Sequence, residues 1–353
     1  MTDMNSIFET LAQRYRQGTL TAASNRLTAG VTAPGPQDIA RMPERGTPAY
    51  QELRRLGQEA LERGELGAVI LSGGMATRFN YSLPKGCFPI FENQSFLELK
   101  VRWIRKVAPQ MPIFVMTSFA TDDEVRKHFA EHADFGAAAD QVHFFSQYRF
   151  PRLRPDGSLF RSADGSEDFA APGHGDFPAA IAASGLLDAF LAQGGKYLLF
   201  SNVDNLGATV DLAIVGWHIA NGHQMTVEVA AKAPGDKGGA PAKVNGKLQL
   251  VEGFAFPEDF DQDAIPVFNT ATYVFSADAL AQPFDLPWYV VDKKVDGETV
   301  IQFEHLAGDL SCHLQTGYLE IDRDERFIPV KSQADVPEAQ AKIRQKLGKM
   351  ATV

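Results

Sequence analysis

The feature that most constrains the fold is an alternation of short apolar runs with amphipathic stretches between residues 67 and 224. Continuous apolar runs of this length are typical of strands buried on both faces of a sheet. They lie at 68–72, 113–117, 142–145 and 196–202. Stretches with helical spacing separate them, at about 95–107, from 121 onward, at 177–192 and at 209–221. This order predicts an α/β fold in which a mixed, mostly parallel central sheet is flanked by helices.

The two ends of the chain have a different texture. Residues 1–66 combine two helical stretches with a segment rich in Pro, Gly and Thr, and we expect them to form a helical leader that packs on the core. After residue 224 the pattern favours strands, at 225–231, 247–251, 266–275 and 313–321. An amphipathic helix is predicted near the C-terminus. We therefore expect a leader (1–66), a core domain (67–335) and a C-terminal helix (336–353).

Composition excludes several classes of protein. The 353 residues include 34 Lys and Arg against 44 Asp and Glu, a formal charge of −10, and no basic run that would bind nucleic acid. No stretch reaches the ~18–20 apolar residues of a membrane span, and no secretory signal is recognisable. Two cysteines cannot form a disulfide framework or a four-cysteine zinc site. We expect a cytoplasmic protein that binds neither membranes nor nucleic acid.

The first candidate site follows the buried strand at 68–72. There Gly73 and Gly74 would let backbone N–H groups approach a ligand closely, and Arg78 and Lys85 could supply positive charge to a polyphosphate. The spacing fits neither a Walker A loop nor a dinucleotide-binding fingerprint. An ordinary turn with surface cations is an equal alternative for this segment alone.

Two further segments have polar residues where ligands often bind. Gly173 and Gly175 flank His174 just before a predicted helix, which favours a tight, accessible turn; the alternative is an Asp176 N-cap beside a surface histidine. Asp204 follows a predicted strand, where a single carboxylate suits a Mg²⁺ that also takes phosphate oxygens. The alternative there is a simple Asn/Asp turn.

Together these stretches resemble the eukaryotic type of UDP-glucose pyrophosphorylase, the UTP–glucose-1-phosphate uridylyltransferase family. The resemblance extends from about residue 67 to 335, with motifs in the family's order. The motifs lie at 118–122, 147–152, 172–176, 201–211, 247–252, 268–270, 300–304 and 326–331. The most specific is Ser201-Asn-Val-Asp-Asn-Leu-Gly-Ala-Thr-Val-Asp.

The resemblance implies a nucleotide-diphospho-sugar transferase fold, which is Rossmann-like, and an enzyme that makes UDP-glucose and pyrophosphate from UTP and glucose 1-phosphate. The sugar phosphate would attack the α-phosphorus in line, with Mg²⁺ and lysines stabilising charge. The alternatives are a UDP-N-acetylglucosamine or broad-range UDP-sugar pyrophosphorylase and a non-catalytic UDP-sugar binder. A glycosyltransferase would normally have an Asp-x-Asp motif, whereas this chain has Asn202-Val-Asp204.

The resemblance also implies roles for individual residues. The catalytic charges would be Lys85, Lys331 and Arg78. The nucleotide would contact Gly73, Gly74, Gln147, Gly173 and His174. The sugar would contact Asn202, Gly239, Glu252 and Asn269. Mg²⁺ would bind Asp204.

Two features depart from the family pattern. The first loop usually has the sequence Asn-Gly-Gly-Leu-Gly-Thr, whereas here Ala76 replaces the last glycine and Arg78 follows the threonine. The Thr77–Arg78 step is more like UDP-N-acetylglucosamine pyrophosphorylases. In addition, only 22 residues follow Lys331 in the 353-residue chain, too few for the family's C-terminal β-helix domain, which serves oligomerisation. We therefore expect a monomer or a weak homo-oligomer.

Overall fold

The computed structural model describes residues 4–28, 30–233, 236 and 238–351, with side chains as far as Lys346. The helices are α1 Met4–Arg16, α2 Pro48–Glu62, α3 Phe96–Val107, α4 Asp122–Glu131, α5 Phe177–Ala183, α6 Leu186–Ala192, α7 Leu212–Ala220, α8 Arg323–Arg326 and α9 Val336–Ala351. The first strands are β1 Val31–Thr32, β2 Ala40–Arg41, β3 Leu66–Leu71, β4 Pro89–Phe91, β5 Gln94–Ser95, β6 Ile113–Thr117, β7 Val142–Ser146, β8 Phe150–Pro151 and β9 Phe169–Ala170. The remaining strands are β10 Tyr197–Asn202, β11 Met225–Ala231, β12 Ala240–Val244, β13 Lys247–Val251, β14 Val267–Ser276, β15 Tyr289–Val295, β16 Glu298–Glu304 and β17 Thr316–Ile321.

The central sheet confirms the predicted fold class. Within the described residues it has eight strands in the order β2-β17-β11-β14-β10-β3-β6-β7. All neighbouring pairs are parallel except those of β14, which runs antiparallel to both β11 and β10. Smaller antiparallel units, including the β15–β16 hairpin and the β1-β12-β13 sheet, pack around it.

The sheet is buried on both faces, as the continuous apolar runs predicted. Along β3, Val69 and Leu71 join the apolar cluster on one face, while Ala68 and Ile70 join the cluster on the other. The side chains of β3 alternate between the faces because the side-chain period of a strand is two. Both clusters are covered by helices, so no polar alternation is needed along the central strands.

The predicted helix 177–192 is in fact two helices, and this part of the sequence prediction is wrong. α5 ends at Ala183 and α6 begins at Leu186, with Gly185 between them in a left-handed conformation (φ 77°). A positive φ is favourable for glycine because it lacks a Cβ atom, and it interrupts the helical hydrogen-bond ladder. The apolar spacing continues across the break and conceals it.

The leader is joined to the core at several places, of which two adjoin the central sheet and α7. β2 pairs with β17 at the edge of the central sheet, and α2 crosses α7 at a glycine contact. A Cβ atom on Gly57 would overlap the Leu212 carbonyl, and one on Gly216 would overlap the Leu53 carbonyl. The two helices can approach this closely only because both positions are glycine.

No single helix among the described residues is long and apolar enough to cross a membrane. One bent pair, 174–183 with 186–192, passes the same test by length and composition, with an angle of 67° between its halves. Phe177, Ile181, Leu187 and Phe190 of this pair are buried in the apolar core.

Candidate active site

Two candidate segments meet where neighbouring parallel strands end. β10 pairs with β3 so that Asn202 lies opposite Leu71, and the Val203 N–H donates to the Leu71 carbonyl at 3.1 Å. Gly73 and Gly74 follow β3, whereas Asp204 lies in residues 203–209, which we name the β10 loop. Ligands of open α/β sheets bind beyond the carboxyl ends of such strands.

The glycine loop after β3 is fixed by hydrogen bonds to its backbone. Ser118 Oγ donates to the Gly73 carbonyl at 2.8 Å, and the Lys85 N–H donates to the Gly74 carbonyl at 3.0 Å. A Cβ atom on Gly73 would lie 2.7 Å from Gln147 Nε2, whereas one on Gly74 would meet no atom within 4 Å. The loop is therefore held close to Gln147 while Gly74 presents its backbone to open space.

Lys85 and Asp204 form an ion pair across this edge of the sheet. Lys85 Nζ lies 2.5 Å from Asp204 Oδ2, and the side chains are only 17% and 23% exposed. The ammonium group also lies over the Phe79 ring, 5.1 Å from its centroid. In this arrangement each charge neutralises the other, and the Lys85 backbone is hydrogen-bonded to Gly74. An anion that binds Lys85 would release the carboxylate for a cation.

The turn that begins at Gly173 is built against the segment after β16. Gly173 has φ 93°, and a Cβ atom there would lie 2.5 Å from the His305 carbonyl oxygen. His174 Nδ1 accepts a hydrogen bond from the Ala307 N–H at 2.9 Å. Burial, reinforced by the nearby His305, lowers the pKa of His174 to about 4. The imidazole is therefore neutral at physiological pH and acts as an acceptor.

Asp176 connects this turn to Gln147 rather than capping a helix. Its side chain is fully buried and makes no hydrogen bond to the first turn of α5. Instead, Asp176 Oδ2 accepts a hydrogen bond from the Tyr148 N–H at 2.7 Å. The carboxylate thereby holds Gln147 and Gly173, two predicted nucleotide contacts, on adjacent segments.

Three residues predicted to contact the sugar lie together beside this edge. The Asn269 N–H donates to the Gly239 carbonyl at 2.7 Å, and a Cβ atom on Gly239 would lie 3.1 Å from Glu252 Oε2. Asn269 Nδ2 donates to Tyr273 Oη at 2.8 Å. Burial raises the pKa of Glu252 to about 7. An amide and a buried carboxyl group at this spacing are suited to binding hydroxyl groups.

Asp309 is an acidic group that the sequence interpretation missed. It is 4% exposed, and its Oδ1 accepts a hydrogen bond from Tyr289 Oη at 3.1 Å. Its Oδ2 has no hydrogen-bond partner among the described residues. Burial, together with the nearby Glu252, raises the pKa of Asp309 to about 8. An acidic residue inside the apolar run 306–310 was the available signal.

The raised pKa values predict a pH-dependent stability. The folded protein binds more protons than the unfolded chain between the ordinary carboxyl range and pH about 8, so these two groups stabilise the fold less as pH rises through that window. We expect the wild-type minus Asp309→Asn difference in melting temperature to become more negative, by a few degrees, between pH 6 and 8.5. Thermal unfolding monitored by circular dichroism measures it. Buried histidines and lysines change the stability with pH in the opposite direction. They do so equally in wild type and Asp309→Asn, so subtracting the two melting temperatures cancels their contribution.

Asp140→Asn, at an exposed site, is the matched control. Equal slopes in wild type and Asp309→Asn would contradict the prediction.

The other predicted residues lie around the same edge with fewer constraints. The Val330 N–H donates a hydrogen bond to the Asp204 carbonyl at 3.1 Å. Lys331 is therefore the next residue along the chain after one that contacts the β10 loop. Asn202 is the half-buried last residue of β10. Arg78 is exposed in the turn at 77–79, and no side-chain ion pair or hydrogen bond within the described residues fixes its position.

The donor set is compatible with one kind of metal site. The described residues contain no group of three or more His, Cys, Asp or Glu side chains that could hold an ion by themselves. Mg²⁺ is commonly bound through one or two carboxylates plus the phosphates of its substrate. Asp204, paired with the Lys85 ammonium, fits a Mg²⁺ that arrives with a nucleotide.

The chain was compared with known sequences. Residues 25–345 match the sequence model of the UTP–glucose-1-phosphate uridylyltransferase family. The UTP–glucose-1-phosphate uridylyltransferase of Solanum tuberosum is 29% identical over 309 residues, which are 81% of this chain and 64% of the relative. The Saccharomyces cerevisiae enzyme of the same name is 28% identical over 359 residues, 95% of this chain and 69% of the relative. The chain thus spans about two thirds of the length of these relatives.

Solved structures share the fold. The uridine diphosphate N-acetylglucosamine pyrophosphorylase of Trypanosoma brucei aligns with a TM-score of 0.76 and 21% identity, covering 93% of this chain and 75% of that one. The UDP-glucose phosphorylase of the same organism aligns with a TM-score of 0.76 and 22% identity, covering 95% and 74%. Because the family match covers most of the sequence, this chain belongs to the UTP–glucose-1-phosphate uridylyltransferase family.

Proposed function

We propose that this chain is a uridylyltransferase that converts UTP and glucose 1-phosphate into UDP-glucose and pyrophosphate. The single observation that carries the proposal is the Lys85–Asp204 ion pair beside Gly74, at the carboxyl ends of β3 and β10. It combines a phosphate-binding cation with a carboxylate for Mg²⁺. The hydroxyl-binding group lies on the same side: Gly239 immediately precedes β12, Glu252 immediately follows β13, and Asn269 is on β14.

The nucleotide would lie across the glycine loop. Gly73 and Gly74 would approach its phosphates, and Gln147 and Gly173 would bind the uracil from segments joined by Asp176. His174, neutral at physiological pH, would line the cleft as a hydrogen-bonding group. Lys85 and Arg78 would balance the phosphate charge, because oriented cations in a partly buried cleft stabilise phosphoryl groups better than solvated ones.

The sugar phosphate would bind beside Asn202. Close to the Gly239 backbone, Glu252 would accept hydrogen bonds from sugar hydroxyls, and Asn269 could both accept and donate them. Lys331 would bind the phosphate of glucose 1-phosphate or the departing pyrophosphate. A site that binds hydroxyl groups through buried polar atoms can discriminate strongly between sugars.

The chemistry needs positioning and charge neutralisation, and no side chain has to remove a proton. A phosphate oxygen of glucose 1-phosphate is already an anionic nucleophile. It forms a bond to the α-phosphorus of UTP while the bond from that phosphorus to the bridging oxygen of pyrophosphate breaks. Lys85 and Lys331 hold the two anions in line despite their repulsion. When bound, Mg²⁺ supplies further neutralisation of the phosphate charge.

Pyrophosphate release from UTP and Mg²⁺ tests the proposal, with glucose, N-acetylglucosamine and galactose 1-phosphates as substrates. We expect release that depends on glucose 1-phosphate. Release only with another sugar phosphate would keep the reaction and change the substrate. If UDP-glucose binds by calorimetry but no sugar phosphate gives turnover, the chain is a UDP-sugar binder and the proposal fails.

The ion pair also predicts that metal and nucleotide bind together. Lys85 Nζ forms an ion pair with Asp204 Oδ2. The negative charge of the carboxylate is therefore already neutralised when a divalent cation arrives without a nucleotide. We expect Mn²⁺, a spectroscopic substitute for Mg²⁺, to give no proton-relaxation enhancement with wild-type protein alone and a strong enhancement once UTP is added. Without UTP, Lys85→Met should bind Mn²⁺ weakly but more tightly than wild type, and Asp204→Asn should show no such gain. Equal UTP-free binding by wild type and Lys85→Met would contradict the prediction.

We further propose that the protein acts in the cytoplasm on small molecules, as a monomer or a weak homo-oligomer. The acidic composition and the absence of basic runs support the proposal that the protein does not bind nucleic acid. Sedimentation velocity over a range of protein concentrations tests the oligomeric state.

A further inference from the structure

Three basic side chains donate hydrogen bonds to the backbone of the β10 loop. The carbonyl groups of three consecutive residues each accept a hydrogen bond from a different one of them. The pairs are Lys346 Nζ with the Gly207 oxygen (2.9 Å), Lys100 Nζ with the Ala208 oxygen (2.9 Å) and Arg326 Nη1 with the Thr209 oxygen (2.8 Å). Such concentrated support of one loop indicates that its position matters.

Of these three side chains, Lys100 has the highest free-energy cost of burial. It lies on α3, four residues from both Phe96 and Ile104, and is 2% exposed. Burial lowers the pKa of Lys100 to about 7. An apolar side chain on this face of the helix would avoid the cost of desolvating an amine. The lysine is therefore poorly explained by packing alone.

The contacts of Lys100 lie on either side of Asp204. Besides the Ala208 carbonyl, Lys100 Nζ donates to Ser201 Oγ at 2.9 Å. It thus joins the last part of β10 to the far side of the β10 loop and closes the segment that contains Asp204. No other described side chain links Ser201 to Ala208 directly.

The same loop determines where Lys331 lies. Asn205 Oδ1 accepts hydrogen bonds from the Gly207 N–H at 3.1 Å and from the Ile328 N–H at 3.0 Å. The Val330 N–H donates to the Asp204 carbonyl. A shift of the β10 loop would therefore displace both Asp204 and the segment that leads to Lys331.

We propose that Lys100 is a positioning residue for the phosphate- and metal-binding edge, which acts by bridging Ser201 and Ala208 and thereby fixing Asp204. The inference rests on the proposed function. Lys100 does not touch the substrates. Its effect is exerted through loop geometry, and a misplacement of about 1 Å can cost about a hundredfold in rate.

The test compares Lys100→Met with wild type and with Lys106→Met, a control at an exposed position on the same helix. We expect kcat of Lys100→Met to fall about 10- to 100-fold, and KM for glucose 1-phosphate to rise by a smaller factor, since the segment that leads to Lys331 also shifts. MnUTP binding, followed by proton relaxation, should weaken. The melting temperature should change little, because the desolvation cost of a buried amine is removed while Ser201 and Ala208 each lose a hydrogen bond, and the two effects oppose each other.

A loss of activity without a matching loss of melting temperature separates positioning from a merely structural role. A parallel loss of activity and melting temperature would overturn the proposal, as would an unchanged kcat in a folded Lys100→Met protein. Wild-type protein that turns over no sugar phosphate would instead refute the proposed function. The two failures are therefore distinguishable in one set of assays.

Discussion

Replacing Lys85 by alanine is expected to lower kcat about 10²–10³-fold, the loss typical of removing one oriented charge from a transition state. The Lys85 ammonium lies 2.5 Å from Asp204 and beside the glycine loop, where it would meet the phosphates of UTP. Both side chains keep some access to solvent, so the Asp204 carboxylate can be hydrated when Lys85 is lost, and the cost to folding should be smaller than for a fully buried pair. The variant should therefore stay folded, with a melting temperature near that of wild type. Initial rates of pyrophosphate release and circular dichroism measure the two quantities.

Lys331→Ala should lose activity by a similar factor if its ammonium binds the second phosphate group. Lys106→Ala, at an exposed position on α3, is the control for removal of a surface lysine. Near-wild-type turnover in both Lys85→Ala and Lys331→Ala would refute the assigned roles. Unfolding of Lys85→Ala would show instead that the ion pair is structural.

Glu228→Ala is expected to give the largest loss of stability, about 3–5 kcal/mol in the free energy of unfolding. Glu228 and Arg326 are 2% and 7% exposed, and the guanidinium donates two hydrogen bonds to the carboxylate, at 2.8 and 2.5 Å. Truncation of the acid leaves a buried cation without its counter-charge. The cost includes strain in the β10 loop, since Arg326 also binds the Thr209 carbonyl. Urea denaturation measures the change.

Two controls accompany that experiment. Glu52→Ala removes the exposed ion pair with Arg55 and should leave the stability nearly unchanged. The double variant Glu228→Leu/Arg326→Met replaces both charges with apolar groups and should recover much of the loss. A change below about 1 kcal/mol for Glu228→Ala would contradict the assumption that an unpaired buried ion is costly here.

The sequence predicted the fold class well because its strongest signal was local. Runs such as 68–72 are apolar without alternation since β3 is covered on both faces, and that burial pattern is visible in single segments. The direction of β14 is not visible in this way. It depends on which strands lie beside it, and β14 lies between β11 and β10, antiparallel to both. The division of the chain at residues 66 and 335 stays a prediction.

The candidate site was predictable to the extent that its residues lie in recognisable motifs. Gly73, Gly74 and Asp204 follow predicted strands, and the structure brings their segments together. Asp309 and Lys100 were missed because each is a single charged residue in an apolar context. Both left a signal, since a charged residue on the buried face of a helix or inside an apolar run must find partners. The partners themselves come from distant segments and required the fold.

The contact between α2 and α7 has a consequence for how this architecture can change over time. Each of Gly57 and Gly216 leaves room for a carbonyl of the opposing helix, so a side chain at either position would force the helices apart. A larger residue at one site could not be offset by a smaller one at the other, since both are already the smallest. Among descendants that retain this helix crossing, both positions should stay glycine together, and their joint loss would mark lineages in which the leader docks differently.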